Sequence, residues 1–237
     1  MSLEHLVNKY KNKKIGNPRD AIKIADLDAT LLDGVRDSIT TTYDLTDPVY
    51  ATKEHIFFDT RRIVANSKYN PKKNQIFSNL DFDHALNRIS IPVVEKIQKL
   101  IPGYVPVLTQ LATILPRQSL KWHIDVFMYQ QFTNKLHISI MTNPNAFFEV
   151  FVDNNISRIN MTEGSIWNIN NLAIHRSVNR GDTFRTHLII DVMDETTISD
   201  LLDTGIDFFH TKLSSMSSYE SLALNELQIF WKSQHAT

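Results

Sequence analysis

The chain has 237 residues, long enough for one generous domain with a sizeable buried core. Its 25 Lys and Arg nearly balance 26 Asp and Glu, so no strong field draws the protein as a whole to nucleic acid or to an anionic membrane. It contains no cysteine, which excludes disulfides, thiolate nucleophiles, zinc-finger ligation and iron–sulfur clusters and leaves only nitrogen and oxygen as donors to a metal.

In chain order, the lysine-rich start from Met1 to Lys14 lacks the apolar core of a signal peptide, and nowhere do about 18 apolar residues run together. We therefore expect a soluble, cytoplasmic protein with no membrane or nucleic-acid partner; oligomeric state is not readable. Residues 1 to about 100 mix short helical and extended pieces, with a polar surface loop from Tyr69 to Gln75. The spacing predicts a helix over Ile91 to Ile101, with Pro92 in its first turn and Pro102-Gly103 after its end. Two Asn-x-Ser/Thr triplets, at Asn155 and Asn160, match the glycosylation acceptor pattern without a secretory context and are read as coincidence.

From Val105 to Val192 the pattern becomes short strands separated by polar turns, as in an all-β barrel or sandwich. Residues at i and i+2 share one face of a strand. In Lys135 to Met141, one face carries Leu136, Ile138 and Ile140 and the other carries Lys135, His137, Ser139 and Met141. The same parity groups Arg185 with His187, Ile189 and Asp191, opposite Phe184, Leu188, Ile190 and Val192. After Asp194 the pattern turns helical, with Thr197 or Ser199 as caps and Leu201 and Leu202 on the apolar side. A last helix is expected from about Ser218 to Trp231, the helices covering one face of the barrel.

Chemistry concentrates in one constellation: His123-Ile-Asp125, then His175, then Arg185. Strand spacing brings His123 and Asp125 to one face, and His175 from a distant strand closes a two-histidine, one-carboxylate triangle. That donor set leaves open positions on non-haem Fe(II). Alone, a His-x-Asp pair is more often ordinary polarity than a ligand pair, so the reading rests on the whole set. Arg185 can hold a carboxylate in a fork of two charge-assisted hydrogen bonds; its bland alternative is a salt bridge to Asp182 or Asp191.

The chain here resembles the aspartyl/asparaginyl β-hydroxylase-like branch of the 2-oxoglutarate- and Fe(II)-dependent dioxygenases, which includes hydroxylases of free amino acids such as proline. The resemblance spans roughly residues 104 to 192. It is carried by Leu115-Pro116 leading into His123-Ile-Asp125, by Lys135-Leu-His137, Gly164-Ser-Ile-Trp167, His175-Arg-Ser-Val-Asn179 and Arg185-Thr-His-Leu-Ile-Ile-Asp191.

It implies a double-stranded β-helix, the jelly roll of cupin-like proteins, mainly β with flanking helices. The whole chain, 1–237, would be a single dioxygenase domain: a mixed support region at 1–103, the catalytic core at 104–192 and helices at 193–237. It further implies that His123, Asp125 and His175 ligate Fe(II), that Arg185 binds the distal carboxylate of 2-oxoglutarate, and that His137 helps hold this co-substrate. Lys135 is a further co-substrate contact implied by the resemblance, standing where arginine is expected; lysine keeps the charge and loses the fork. Asn179 would support the ligand loop, and His187 would do likewise unless it is simply a satisfied core histidine. With dioxygen, the implied reaction is hydroxylation of an amino-acid carbon, free or within a peptide, with release of succinate and CO2.

Two rival readings differ in class. Asp26-x-Asp28-x-Thr30, after an apolar run, looks like the nucleophile motif of haloacid-dehalogenase-type Mg-dependent phosphatases. Its downstream companions and the parallel α/β sheet it needs are missing from the pattern, so Asp26, Asp28 and Asp33 read as turn or capping residues. A catalytically silent cupin-like binding protein is the other alternative.

Overall fold

Nine strands form two antiparallel sheets in the computed structural model, which describes residues 15, 20–46, 55–60, 84–125, 128–203 and 225–229. The strands are β1 (Ala21–Asp26), β2 (His55–Thr60), β3 (Tyr104–Ile114), β4 (Asn134–Met141), β5 (Ala146–Val152), β6 (Asn155–Ile159), β7 (Ser165–Ile169), β8 (Ile174–Asn179) and β9 (Arg185–Asp194). The larger sheet has six strands in the order β1-β7-β4-β9-β3-β2; the smaller has three, β6-β5-β8. This is the double-stranded β-helix expected from the sequence, with the helices Ala29–Thr42 and His84–Leu100 packed on the larger sheet, while the described part of the C-terminal helix packs against the smaller one.

The helices are α1 (Ala29–Thr42), α2 (His84–Leu100) and α3 (Glu195–Asp203). The parity of β4 and β9 decides what they cover. Leu136, Ile138, Ile140, Leu188, Ile190 and Val192 lie in one cluster with Val35 and Ile39 of α1 and Leu86, Val93, Val94 and Ile97 of α2. The alternate residues of the same strands face the smaller sheet, whose Phe148 and Val150 form a second apolar cluster with Ile169 of β7. Polar side chains on that inner face are therefore enclosed between two sheets. At the tip between β5 and β6 the chain reverses in two residues, Asp153 and Asn154, both at positive φ (48° and 55°), as a hairpin with primed turn geometry requires.

Three expectations need correction. The helix expected to start at Pro92 starts at His84 and carries Pro92 inside it. A proline there removes one N–H and costs about 3 kcal/mol in a free helix. The apolar stripe of Leu86, Val93, Val94 and Ile97 buried on the core offsets that cost, and Arg88 and Pro92 sit on the exposed side, where water reaches the backbone. The cap of α3 is Asp194, whose carboxylate accepts from the backbone N–H groups of Thr196 and Thr197 at 3.2 Å, so neither Thr197 nor Ser199 has that role. Finally, Leu115 to Asp125 is not a regular strand: only Ser119 and His123 make isolated bridges there, to Val178 and His175.

Of the last predicted helix only residues 225–229 are described, and they are helical; Leu227 packs with Ile124, Phe151 and Ile174. The polar loop at Tyr69–Gln75 and the start of the chain lie outside the described residues. No described helix is long and apolar enough to cross a membrane.

The Asp26 motif has a structural use. Asp28 caps α1, its carboxylate accepting from Leu31 N at 2.9 Å, and Asp26 pairs with Lys23 at 2.8 Å on an exposed edge. The strand before it, β1, runs antiparallel to β7, so the parallel sheet a phosphatase of that type requires is not formed. The Asn160 side chain donates to the carbonyls of Asn143 (3.1 Å) and Ala146 (2.7 Å), a structural use for that residue.

Candidate functional site

His123 and His175, 52 positions apart, are direct backbone partners. His123 N donates to His175 O at 3.0 Å and His175 N to His123 O at 2.9 Å, which brings the ring centroids to 4.4 Å. Asp125 follows at i+2, its N–H bonded to Asn171 O at 3.1 Å. One donor atom from each of His123, Asp125 and His175 lies within 4.8 Å of the other two, close enough to share one metal ion. The neighbouring side chains brace this pairing. Arg176 lies 4.6 Å over the Trp122 ring and donates to the fully buried Glu149 at 2.7 Å, and Glu149 also takes Arg158.

Both rings are oriented by carbonyls, which can only accept. His123 Nδ1 donates to Lys121 O at 2.8 Å and His175 Nδ1 to Ala173 O at 2.9 Å. With Nδ1 carrying the proton, Nε2 of each ring is left as a lone-pair donor to a metal. Burial, reinforced by the neighbouring His123, pushes the His175 pKa down to about 4, so the ring is neutral at ordinary pH. Burial also pushes the Asp125 carboxyl up, but Lys135 together with His175 and His123 outweighs it and holds the pKa below the usual carboxylate value. Asp125 Oδ2 is buried with no hydrogen bond; its ion-pair contact is Lys135 Nζ at 3.4 Å. Two imidazole nitrogens and an ionised carboxylate whose Oδ2 makes no hydrogen bond suit a divalent ion of the non-haem iron type.

These groups line a cavity of about 290 Å³ together with Lys135, His137 and Arg185. Arg185 is 2% exposed and makes no ion pair among the described residues; its Nη2 donates to His187 Nδ1 at 3.3 Å. Both acids proposed as its bland partners are engaged elsewhere: Asp182 holds Arg117 at 2.7 Å and Asp191 holds Lys135 at 3.1 Å. Burial lowers the Arg185 pKa to about 9, the signature of a guanidinium that lacks a compensating anion. A cation kept so deep without a carboxylate is a ready site for one brought by a ligand.

His137 and His187 meet at 3.4 Å through their Nδ1 atoms. Since Arg185 can only donate, His187 Nδ1 must be the acceptor, and His137 Nδ1–H points at the same lone pair. Burial, then Arg185, lowers both histidine pKa values well below the ordinary one. Lys135 sits between two carboxylates, Asp125 and Asp191, and they raise its pKa above the ordinary value despite burial.

Asn179 anchors the loop that returns the chain from β8 to β9. Its Nδ2 donates to Thr183 O (2.8 Å) and to Ile114 O and Leu115 O (3.1 Å each), and its Oδ1 accepts from Gly181 N (3.1 Å) and Asn143 Nδ2 (3.0 Å). One amide thus ties the ends of β3, β8 and β9 together, beside Arg185 at the start of β9.

The buried histidines make a checkable prediction for the metal-free protein. Their folded pKa values lie below the roughly 6.5 of an exposed imidazole, so the unfolded chain binds more protons and stability rises with pH there. The contribution is fully present above about pH 6.5 and, for His175, is lost as pH falls towards its folded value of about 4. Unfolding midpoints measured from pH 7 to 4 should fall steadily; a flat profile would contradict neutral burial of the three rings.

The comparisons with known proteins come to the same place. The family model for aspartyl/asparaginyl β-hydroxylase matches residues 59–195, more than half the chain. This match defines the class of the protein: a non-haem oxygenase that uses 2-oxoglutarate. The chain belongs to the aspartyl/asparaginyl β-hydroxylase family of 2-oxoglutarate- and Fe(II)-dependent oxygenases. Among solved structures, AviO1 from Streptomyces viridochromogenes Tue57 is similar in fold at 11% identity and a TM-score of 0.51, covering 82% of this chain and 96% of its own. An oxidoreductase of the 2OG-Fe(II) oxygenase family from Burkholderia pseudomallei has 11% identity, TM-score 0.47 and coverages of 81% and 90%. A Pseudomonas putida prolyl-4-hydroxylase has 11% identity, TM-score 0.45 and coverages of 82% and 100%. No curated protein matches the chain.

Several lining residues carry no mark that the sequence motifs pick out. Leu108, Gln110, Ala112 and Ile114 form one wall of the cavity from alternate positions of β3. Period-two alternation within the run 104–114 is the signal that could find them. Tyr129, Gln130 and Phe148 have no such signal: they reach the cavity from a 3-10 turn and from the opposite sheet.

Proposed function

We propose that the protein hydroxylates an amino-acid carbon, in a free amino acid or in a peptide, using Fe(II), 2-oxoglutarate and dioxygen and releasing succinate and CO2. The observation that carries this reading is the enclosure, in one cavity, of the His123, Asp125 and His175 donors and the Arg185 guanidinium, which no acid among the described residues compensates. His123, Asp125 and His175 would hold the iron, and Arg185 would take the distal carboxylate of 2-oxoglutarate. Bound together, iron, 2-oxoglutarate and dioxygen supply an oxidant strong enough for an unactivated C–H bond.

The chain's own residues supply aim and exclusion of water. Lys121 O and Ala173 O fix the two rings so that each Nε2 is presented without reorganisation. Arg185 positions the co-substrate by a two-bond fork, its desolvation cost relieved when the carboxylate arrives. Phe148, which packs on both His137 (5.5 Å) and His175 (5.3 Å), joins Leu120 and Ile189 in an apolar lining that limits water at the reacting centre. A cavity of about 290 Å³ is at the small end for ligand sites, which favours a substrate presenting one amino-acid side chain. We read 104–192 as the catalytic core of a single domain, with 1–103 supporting it and 193–237 covering it.

The test is direct. Protein loaded anaerobically with Fe(II) and 2-oxoglutarate is exposed to oxygen with a panel of free amino acids and short peptides, and succinate and hydroxylated product are quantified. Substrate-stimulated succinate, matched mole for mole by product from one panel member, is expected. Absence of iron-dependent 2-oxoglutarate binding would sink the proposal.

A further inference from the structure

Lys135 and Asp191 are direct cross-strand partners on β4 and β9, and both lie on the inner face, beside Asp125. The ammonium is not shared evenly. It donates to Asp191 Oδ2 at 3.2 Å and makes ion-pair contacts with Asp191 Oδ1 at 3.1 Å and Asp125 Oδ2 at 3.4 Å, neither of which makes a hydrogen bond. Asp191 is completely buried and Lys135 nearly so. The fold therefore places a full positive charge next to a metal-site carboxylate and a full negative charge directly across from it.

We infer that Asp191 is a positioning residue for the metal centre: by holding Lys135 through both carboxylate oxygens, it keeps Asp125 available to the metal and so sets metal affinity. The inference rests on the metal-site reading proposed above. Its physical basis is competition. Lys135 has three N–H donors and needs acceptors when buried. With Asp191 present, the Lys135–Asp191 pair is neutral, and the looser contact to Asp125 can be surrendered to a dication. Without the Asp191 charge, Asp125 becomes the sole counter-ion of a buried ammonium, and the contact would close to an ordinary charge-assisted length, about 2.8 Å. A dication would then have to displace that ammonium and sit beside an uncompensated charge.

The competition predicts effects of opposite sign, which a merely structural pair would not show. In the full-length apo protein, Co(II) binding can be followed by its visible ligand-field absorption. Asp191→Asn should weaken Co(II) affinity by roughly ten- to a hundredfold, the range for residues that orient a ligand. Lys135→Met should bind Co(II) at least as tightly as the wild type, because the competing ammonium is gone. The double variant Lys135→Met/Asp191→Met, which replaces the buried pair with apolar groups, should return to within about threefold of wild type, a strong departure from additivity.

Wild-type affinity in Asp191→Asn overturns the inference. A double variant as weak as Asp191→Asn, or a tenfold loss in Lys135→Met, overturns it as well, and Lys135→Met decides alone if Asp191→Asn does not fold. His175→Ala separates the two levels. If it abolishes Co(II) binding while the Asp191 cycle shows no coupling, the metal site stands and only the inference fails; if it binds like wild type, the metal-site reading itself fails.

Discussion

His175→Ala is expected to abolish iron binding and, with it, substrate-dependent succinate formation. The loss should lie well beyond the roughly 10–100-fold that follows removal of a residue behind a ligand, because the donor itself is removed. The variant should still fold. His175 is held to His123 through backbone groups that alanine retains, and the imidazole it removes is buried and neutral, with one hydrogen bond to Ala173 O. Isothermal titration with Fe(II) under anaerobic conditions reads the binding, and circular dichroism reads the fold. A native spectrum with undiminished iron affinity would remove His175 from the metal centre. The metal-free variant should also show a shallower loss of stability between pH 6.5 and 4, since one of the rings with a depressed pKa is gone.

The second large effect is expected at Arg185. Arg185→Met should weaken 2-oxoglutarate binding to the iron-loaded protein by about a hundredfold, the scale of roughly 3 kcal/mol for removing one partner of a buried charge pair. Iron affinity should change little, because Arg185 has no contact with His123, Asp125 or His175 among its hydrogen bonds or ion pairs. The metal-free variant should be no less stable than the wild type. The guanidinium makes no ion pair among the described residues and is desolvated enough to bring its pKa to about 9, so an apolar group of similar length relieves a cost. Arg185→Lys, which restores the charge without the fork, should recover only part of the affinity. Equal 2-oxoglutarate affinity in wild type and Arg185→Met would mean that the co-substrate carboxylate is held elsewhere.

These two residues are legible in the amino-acid sequence because the features that mark them are local. Strand parity puts Lys135 and His137 on one face of β4 and Arg185, His187 and Asp191 on one face of β9, and the structure keeps both groupings. The apolar residues between them, Leu136, Ile138, Leu188 and Ile190, go to the helix-covered side as the alternation requires. The start of α2 is hidden because Pro92 is a strong local signal for a helix N-terminus, and the burial that overrides it involves other elements. His123 and Asp125 do lie together, but strand spacing is an incomplete reason for it. Their segment is held by single bridges and loop hydrogen bonds rather than a strand ladder, and those partners are more than 40 residues away in the chain.

By itself the sequence determined the class of donor atoms, the antiparallel β core with its two-faced strands, and the set His123, Asp125, His175 and Arg185. The first two follow from side-chain chemistry and from the period of two along a strand, while the set is brought together by single bridges and loop hydrogen bonds to partners far away in the chain. Tertiary structure alone decided which charges are spent and which are free. Arg185 could have paired with Asp182 or Asp191 on sequence distance; register gives Asp191 to Lys135, and an exposed pair with Arg117 takes Asp182, so the guanidinium has no ion pair among the described residues. Lys135 reads as a co-substrate contact from its place beside His137, yet its closest partners are two carboxylates, one from across the sheet and one from the metal centre. Pairing between charges depends on distances set by strand register and sheet closure, which no local pattern records.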